Sequence, residues 1–331
     1  MFDNVFIIAE AGSNHNGDLD TATALVQSAA QSGADAIKFQ DFTLDTLICA
    51  AAYQKALGLK NNWQEEIINN TFKTGWHKII ADAARKAGIH YFSTPFSLEA
   101  VDTLDAFVPF YKIASCDITY SPLIKKAASK GKGIFISTGA SYIREIDKAV
   151  ELIKLYNPPF ICVMHCIMLY PTPLASLNLN YISTLSERYG LPVGFSDHSP
   201  GIDASLFAVG KGVRAIEKHF TLNKDQEGLD HKNSLSPVEF KELVEKIKIY
   251  EKIAGKNERV VSDREFNERT YARRGIYAAK NLEGGEILTE DKLMFLRPNV
   301  TIGVEKLEDL LNKELVVDVK KGTPIDFPMV K

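Results

Sequence analysis

From Val5 to His219, short continuous apolar or β-branched runs alternate with stretches whose apolar residues recur every three or four positions. The runs are Val5 to Glu10, Asp35 to Gln40, Ile89 to Ser93, Phe110 to Ala114, Gly133 to Thr138, Phe160 to Cys166, Leu191 to Ser196 and Arg214 to His219. Their length and texture predict buried strands. The segments Asp18 to Ser32, Thr74 to Ala87, Ile143 to Leu155 and Pro237 to Ile253 predict amphipathic helices between or after them. Such alternation implies parallel strands joined by crossover helices. Eight repeats suit a closed (β/α)8 TIM barrel better than an open doubly wound sheet, which more often stops at about five or six strands.

The pattern changes after Ala254. Residues 255–273 are dense in charge and predict a connecting arm. From Arg274 onward, strand-like pieces (Gly275 to Ala279, Leu315 to Val319) are punctuated by Gly284-Gly285, Arg297-Pro298 and Gly322-Thr323-Pro324. The expected organisation is a barrel over 1–254, an arm over 255–273 and a small β-rich domain over 274–331. A unit that small has a marginal core and is expected to pack on something.

Composition narrows the partners. With 45% hydrophobic and 24% charged residues, the 331-residue chain has the make-up of a folded globular protein. A net charge of −3 is too weak to attract nucleic acid or anionic lipid over a distance. The N-terminus lacks a basic segment ahead of its apolar run, and no apolar run is long enough to span a bilayer. The expectation is a cytoplasmic protein. Cys162 and Cys166 share one strand-like run, which holds them about 13 Å apart, too far for a disulfide or a shared zinc, so both are expected as buried thiols.

Polar residues inside a parallel barrel are informative because its interior is otherwise apolar, and here they collect at the C-terminal ends of the strands. Glu10, Lys38 with Gln40, Ser93-Thr94, Lys112 with Ser115 and Asp117, Ser137-Thr138, His165, Ser196-Asp197-His198 and Glu217 with His219 all fall there. In this fold that rim carries the active site. Side-chain alternation puts Lys38 with Gln40, Ser196 with His198, and Glu217 with His219 on shared faces turned to the mouth. A lysine in such an interior needs an acidic neighbour, with Glu10 and Asp117 as candidates, or a bound anion. Lys38 and Lys112 among several hydroxyls imply a phosphate or carboxylate ligand. His198 and His219 end adjacent strands beside Glu10 and make a sensible pair of ligands for Mn²⁺ or Mg²⁺. The loops Asn14-His15-Asn16-Gly17 and Gly228 to Leu235 lie over the mouth, and Asp230 is a candidate for binding substrate hydroxyls. His77 and His90 read as structural.

With these residues in place the chain resembles the N-acetylneuraminate (sialic acid) synthase family, bacterial nonulosonic acid synthases with a C-terminal antifreeze-like (SAF) domain. The resemblance rests on Ile7 to Gly17, Ala34 to Gln40, Ser93 to Phe96, Tyr111 to Ser115, Ile136 to Gly139, Tyr170 to Pro173, Phe195 to His198, Glu217 to Phe220, Asp230-His231 and the Arg297-Pro298 step. It implies condensation of phosphoenolpyruvate with an N-acylated mannosamine-type sugar, with water consumed and phosphate released by C–O cleavage. Glu10, Lys38 and Lys112 would be catalytic. Lys38, Thr94, Lys112, Ser115, Ser137 and Ser196 would surround phosphoenolpyruvate. Gln40, Asp117, Tyr170 and Asp230, with Glu10, would face the sugar. His198 and His219 would hold Mn²⁺, with Mg²⁺ or Co²⁺ as alternatives, and Arg297 would reach the partner's barrel in a domain-swapped homodimer.

Two departures stand out. Cys166-Ile167-Met168-Leu169-Tyr170 is apolar where the family often has polar residues, and Asp117 replaces a common Glu. Asp230-His231 looks more like sialic or legionaminic acid synthases than pseudaminic acid synthases, and a spore-coat-type homologue is a further alternative. Outside this family, a Schiff-base aldolase and a non-catalytic sugar-binding barrel remain open readings.

Overall fold

The eight apolar runs form eight parallel strands: β1 (Phe6–Gly12), β2 (Ala36–Asp41), β3 (His90–Pro95), β4 (Phe110–Ile113), β5 (Gly133–Ser137), β6 (Ile161–Cys166), β7 (Val193–Asp197) and β8 (Ala215–His219). In this computed structural model, which describes residues 2–58, 63–255 and 258–331, their order is β3-β2-β1-β8-β7-β6-β5-β4. Parallel pairing of β8 with β1 and packing of β3 on β4 bring the sheet round into a TIM barrel.

Alternation along the strands divides the barrel into layers. Near the N-terminal ends, Phe6, Phe92, Phe110, Phe135 and Phe160 form an aromatic floor, with Phe92 to Phe110 ring centroids 4.7 Å apart and Phe135 to Phe160 5.2 Å. Gly133 makes room for Phe160, whose ring would sit 2.0 Å from any Cβ placed there. Above this floor the inward residues become charged or polar. The outward residues, such as Ile7, Ile37 and Ile216, are buried in the apolar core under the helices.

The helices are α1 (Leu19–Gln31), α2 (Leu44–Leu47), α3 (Ala50–Leu57), α4 (Trp63–Asn69), α5 (Trp76–Ala87), α6 (Leu98–Asp105), α7 (Ser121–Ala128), α8 (Ile143–Lys154), α9 (Tyr181–Tyr189), α10 (Asp203–Gly210) and α11 (Pro237–Ala254). Asp18 caps α1 by accepting from the Thr21 amide at 2.8 Å. Ser236 and Glu239 form a capping box on α11, with a proline in its first turn. Helices α2 and α3 bury no side chain, so they lack the apolar stripe that marks the crossover helices.

The chain divides into two compact units, Met1–Gly255 and Lys256–Lys331. Lys256 and Asn257, at the start of the expected arm, lie outside the described residues. The arm is not all irregular. Asp263–Ala272 forms a helix, α12, capped by Ser262 and with no buried side chain. Beyond it, β9 (Gly275–Ala278) and β10 (Leu293–Leu296) pair antiparallel. Ile276, Leu288, Leu310, Leu315 and Ile325 are fully buried in a small separate core. The expected strand from Leu315 to Val319 is instead a set of isolated bridges at Leu315 and Val319, because the chain bends at Val316 and Val317. Among the described residues no helix is long and apolar enough to cross a membrane.

Candidate active site

The C-terminal strand ends enclose a cavity of about 150 Å³ above the aromatic floor. Lys38 of β2 and Lys112 of β4 both point into it and are almost wholly buried. Lys38 Nζ lies 2.8 Å from Glu10 Oε2 and 3.6 Å from Glu217 Oε1, and donates to Thr94 Oγ1 at 3.1 Å. Lys112 Nζ donates to Glu217 Oε2 at 2.6 Å. Ser196 Oγ reaches Glu217 Oε1 at 3.3 Å. Burial opposes the charge on Lys38, but Glu10 and Glu217 more than offset it and raise its pKa. Burial likewise opposes the charge on Glu217, yet Lys112 and then Lys38 hold it well below the ordinary carboxylate range.

This pairing corrects one expectation. The acidic partner of Lys112 is Glu217, not Asp117, because β4 ends at Ile113 and Ser115–Asp117 turns away in a 3-10 helix. Asp117 does not line the cavity. Its Oδ2 is buried without a hydrogen-bond partner, and burial pushes its carboxyl up to about 6. Glu217, named in the sequence only as a face-mate of His219, is the hub of the cluster. Its alternation with His219 was the available signal; the contact with Lys112, a residue 105 positions away, was not.

Hydroxyls close the same end. Thr94, Ser115, Ser137 and Ser196 all line the cavity, and the Ser137 Oγ is buried with no hydrogen-bond partner. Ser115 Oγ accepts from the Gly139 amide at 2.9 Å, which fixes the turn after β5. Gln40 Nε2 donates to Glu10 Oε1 at 2.8 Å. Tyr170 lies over His198, with ring centroids 4.1 Å apart. Met168 and Phe96 also line the cavity, so the apolar segment noted in the sequence contributes directly to its wall.

The two histidines sit side by side, ring centroids 5.5 Å apart. His198 Nδ1 is 2.8 Å from the Ile167 carbonyl, which can only accept, so Nδ1 carries the proton and Nε2 keeps its lone pair. Burial and then the neighbouring His219 hold the His198 pKa down to about 4, the neutral form a metal needs. His219 Nδ1 is buried without a hydrogen-bond partner, 4.0 Å from Asp230 Oδ2. A divalent cation fits this donor set. Among the described residues no group of three or more His, Cys, Asp or Glu side chains gathers as a ligand set, so a cation here would have the two imidazoles as its protein donors.

Asp230 reaches the mouth through two loops that hold each other. Asn14 Nδ2 donates to the Phe220 carbonyl at 2.9 Å and to Ser234 Oγ at 2.8 Å, and Asn16 Oδ1 faces His231 Nε2 at 3.1 Å. The first loop therefore spends its side chains on anchoring the loop after β8. Gly12, at a bulge in β1 with φ of 52°, is the contact point: a Cβ there would lie 2.6 Å from Asp230 Oδ2. His77 is fully buried, 2.8 Å from the Tyr91 hydroxyl and 3.0 Å from Asp41, a structural placement outside the cavity. Arg297 follows β10 in the second unit, next to Pro298.

Comparison with known proteins now bears on this geometry. The NeuB family model matches residues 25–259, and the SAF domain model matches residues 273–331. An uncharacterized protein from Methanocaldococcus jannaschii is 41% identical over 95% of this chain and 90% of its own length. The N,N'-diacetyllegionaminic acid synthase of Legionella pneumophila is 36% identical over 97% of this chain and 93% of its own. The crystal structure of an N-acetylneuraminic acid synthetase from Leptospira borgpetersenii superposes with a TM-score of 0.73 at 34% identity, covering 80% of this chain and 90% of that one.

Proposed function

Because the chain belongs to the NeuB family and carries a SAF domain, we propose that it condenses phosphoenolpyruvate with an N-acylated mannosamine-type sugar to give a nonulosonic acid. The observation that carries this reading is the convergence of Lys38 and Lys112, with four hydroxyls, in one cavity that Glu10, Gln40 and Tyr170 also line. The two cations suit a donor bearing phosphate and carboxylate, and the carboxylate and amide suit sugar hydroxyls.

In this reading Lys38 and Lys112 bind the donor anion, and Thr94, Ser115, Ser137 and Ser196 complete its cradle. Asp230, with Glu10, Gln40 and Tyr170, orients the open-chain sugar. His198 and His219 would hold a divalent metal, Mn²⁺ first among candidates, which would supply Lewis acidity toward the sugar aldehyde. The donor's C3 then attacks the aldehyde carbon, forming the new C–C bond. Glu10, an ionised carboxylate paired with Lys38, relays to the former aldehyde oxygen the proton released when water adds at the donor's C2. Water adds at the donor's C2, and cleavage of the C–O bond expels phosphate.

The test is phosphate release from phosphoenolpyruvate across a panel of N-acetylmannosamine and diacetamido-trideoxy sugars with Mn²⁺ present. Release with at least one acceptor is expected. Binding without release would favour a sugar-binding barrel, and borohydride trapping with pyruvate would favour a Schiff-base aldolase. The likeness to a legionaminic acid synthase puts the diacetamido acceptor first in the panel.

For assembly we propose a domain-swapped homodimer in which Arg297 serves the partner's cavity, where its guanidinium binds sugar oxygens. Mixing His219→Ala with Arg297→Ala protein should restore activity through hybrid dimers. Subunit exchange without recovery refutes action in trans.

A further inference from the structure

We infer that Glu217 is an internal stand-in for the donor anion: it occupies Lys112 and Lys38 when no donor is bound, and must give up Lys112 when the donor arrives. The inference rests on the anionic-donor reading. Three observations lead to it. Glu217 takes both lysines, at 2.6 Å and 3.6 Å, whereas Glu10 is placed on Lys38 alone. Lys112 has Glu217 as its only ion-pair partner among the described residues. The hydroxyls around it keep spare capacity: Ser137 Oγ has no hydrogen-bond partner, and Ser196 Oγ makes a long contact of 3.3 Å to Glu217.

The charges explain why such a group is useful. Lys38 and Lys112 against Glu10 and Glu217 leave the cluster neutral, so the two lysines can stay buried without a ligand. A donor with phosphate and carboxylate groups brings charge that the lysines already share with Glu217. Part of the lysine attraction is thereby returned to Glu217 on release. Glu217 thus limits how tightly the donor and the phosphate product are held, and it keeps Lys112 in place between turnovers. A carboxylate that merely props the lysines in position would have the opposite effect when removed: the donor would bind more weakly.

The experiment measures phosphoenolpyruvate and inorganic phosphate affinity by calorimetry on the Mn²⁺-loaded full-length protein, for wild type, Glu217→Gln and Glu217→Asp. The Gln variant removes the charge at nearly constant shape, and the Asp variant keeps the charge on a shorter arm. Glu217→Gln should bind both anions about tenfold more tightly, as removing one nearby like charge implies. It should also unfold earlier than wild type without ligand, and gain a larger thermal shift from phosphoenolpyruvate. Glu217→Asp should not gain affinity. Weaker or unchanged binding in Glu217→Gln, with normal binding in wild type, overturns the stand-in role while leaving the donor reading intact. Equal gains in both variants overturn it too, because the effect would not be charge. No binding by wild type overturns the donor reading and this inference together.

Discussion

Glu217 and Lys218 are consecutive residues of β8, yet they belong to two buried ion clusters of different kinds. Lys218 points out of the barrel. Its Nζ lies 2.8 Å from Asp197 Oδ2 and donates to the Ser199 carbonyl at 2.5 Å. Asp197 in turn accepts from the Ser199 amide and hydroxyl at 2.8 and 2.6 Å and from the Ser205 hydroxyl at 2.6 Å. That network is closed. Glu217 points inward, and around it the Ser137 hydroxyl and His219 Nδ1 are buried without hydrogen-bond partners. Buried charge alone therefore does not mark a site. Unused hydrogen-bonding capacity beside buried charge does, because native interiors rarely leave it unfilled.

The strongest attempt to break this contrast is removal of the metal. His219 Nδ1 is one of the unfilled groups, and a chelator should abolish phosphate release, with Mn²⁺ restoring it. Full turnover by metal-free enzyme or by His219→Ala would mean that this nitrogen serves something else. Next come two lysine substitutions whose effects should be opposite in kind. Lys112→Met should weaken phosphoenolpyruvate binding at least about a hundredfold, the loss expected on removing a buried charge contact, while Glu217 keeps Lys38 as a partner. Lys218→Met should leave donor affinity near wild type but cost about 3 kcal/mol of stability, because Asp197 stays buried without its cation. Calorimetry and denaturant unfolding separate the two. Equal losses of stability would erase the distinction between open and closed clusters.

The barrel was legible in the sequence because its signal is periodic: each strand run falls within two residues of an observed strand. The mouth was legible because polar residues inside apolar runs are few and fall at one end. What could not be read was pairing across the barrel. Alternation assigns Lys112 and Glu217 each to the inner face, but only closure of the sheet brings β4 opposite β8. Asp117 was grouped with Lys112 by nearness in sequence, and a single 3-10 turn carried it away. Among the helices not foreseen from periodicity, α2, α3 and α12 bury no side chain, so no apolar stripe marks them.

Asp117 gives the smallest but most specific test, because it is an orphan carboxyl with neither the cations of Glu217 nor the closed donors of Asp197. Burial raises its pKa from 3.8 to about 6. Between these values the folded protein keeps a proton on Asp117 that the unfolded chain has released. The folded state then binds more protons, so stability falls as pH rises through this window. Glu217 has the opposite sign, since its depressed pKa makes its contribution disappear as pH falls. The difference in unfolding free energy between wild type and Asp117→Asn isolates the Asp117 part. After discounting for the side chain's partial exposure, wild type should lose about 1 kcal/mol relative to the variant between about pH 4 and pH 7. A difference curve that is flat, or that rises with pH, would show Asp117 already held as an anion.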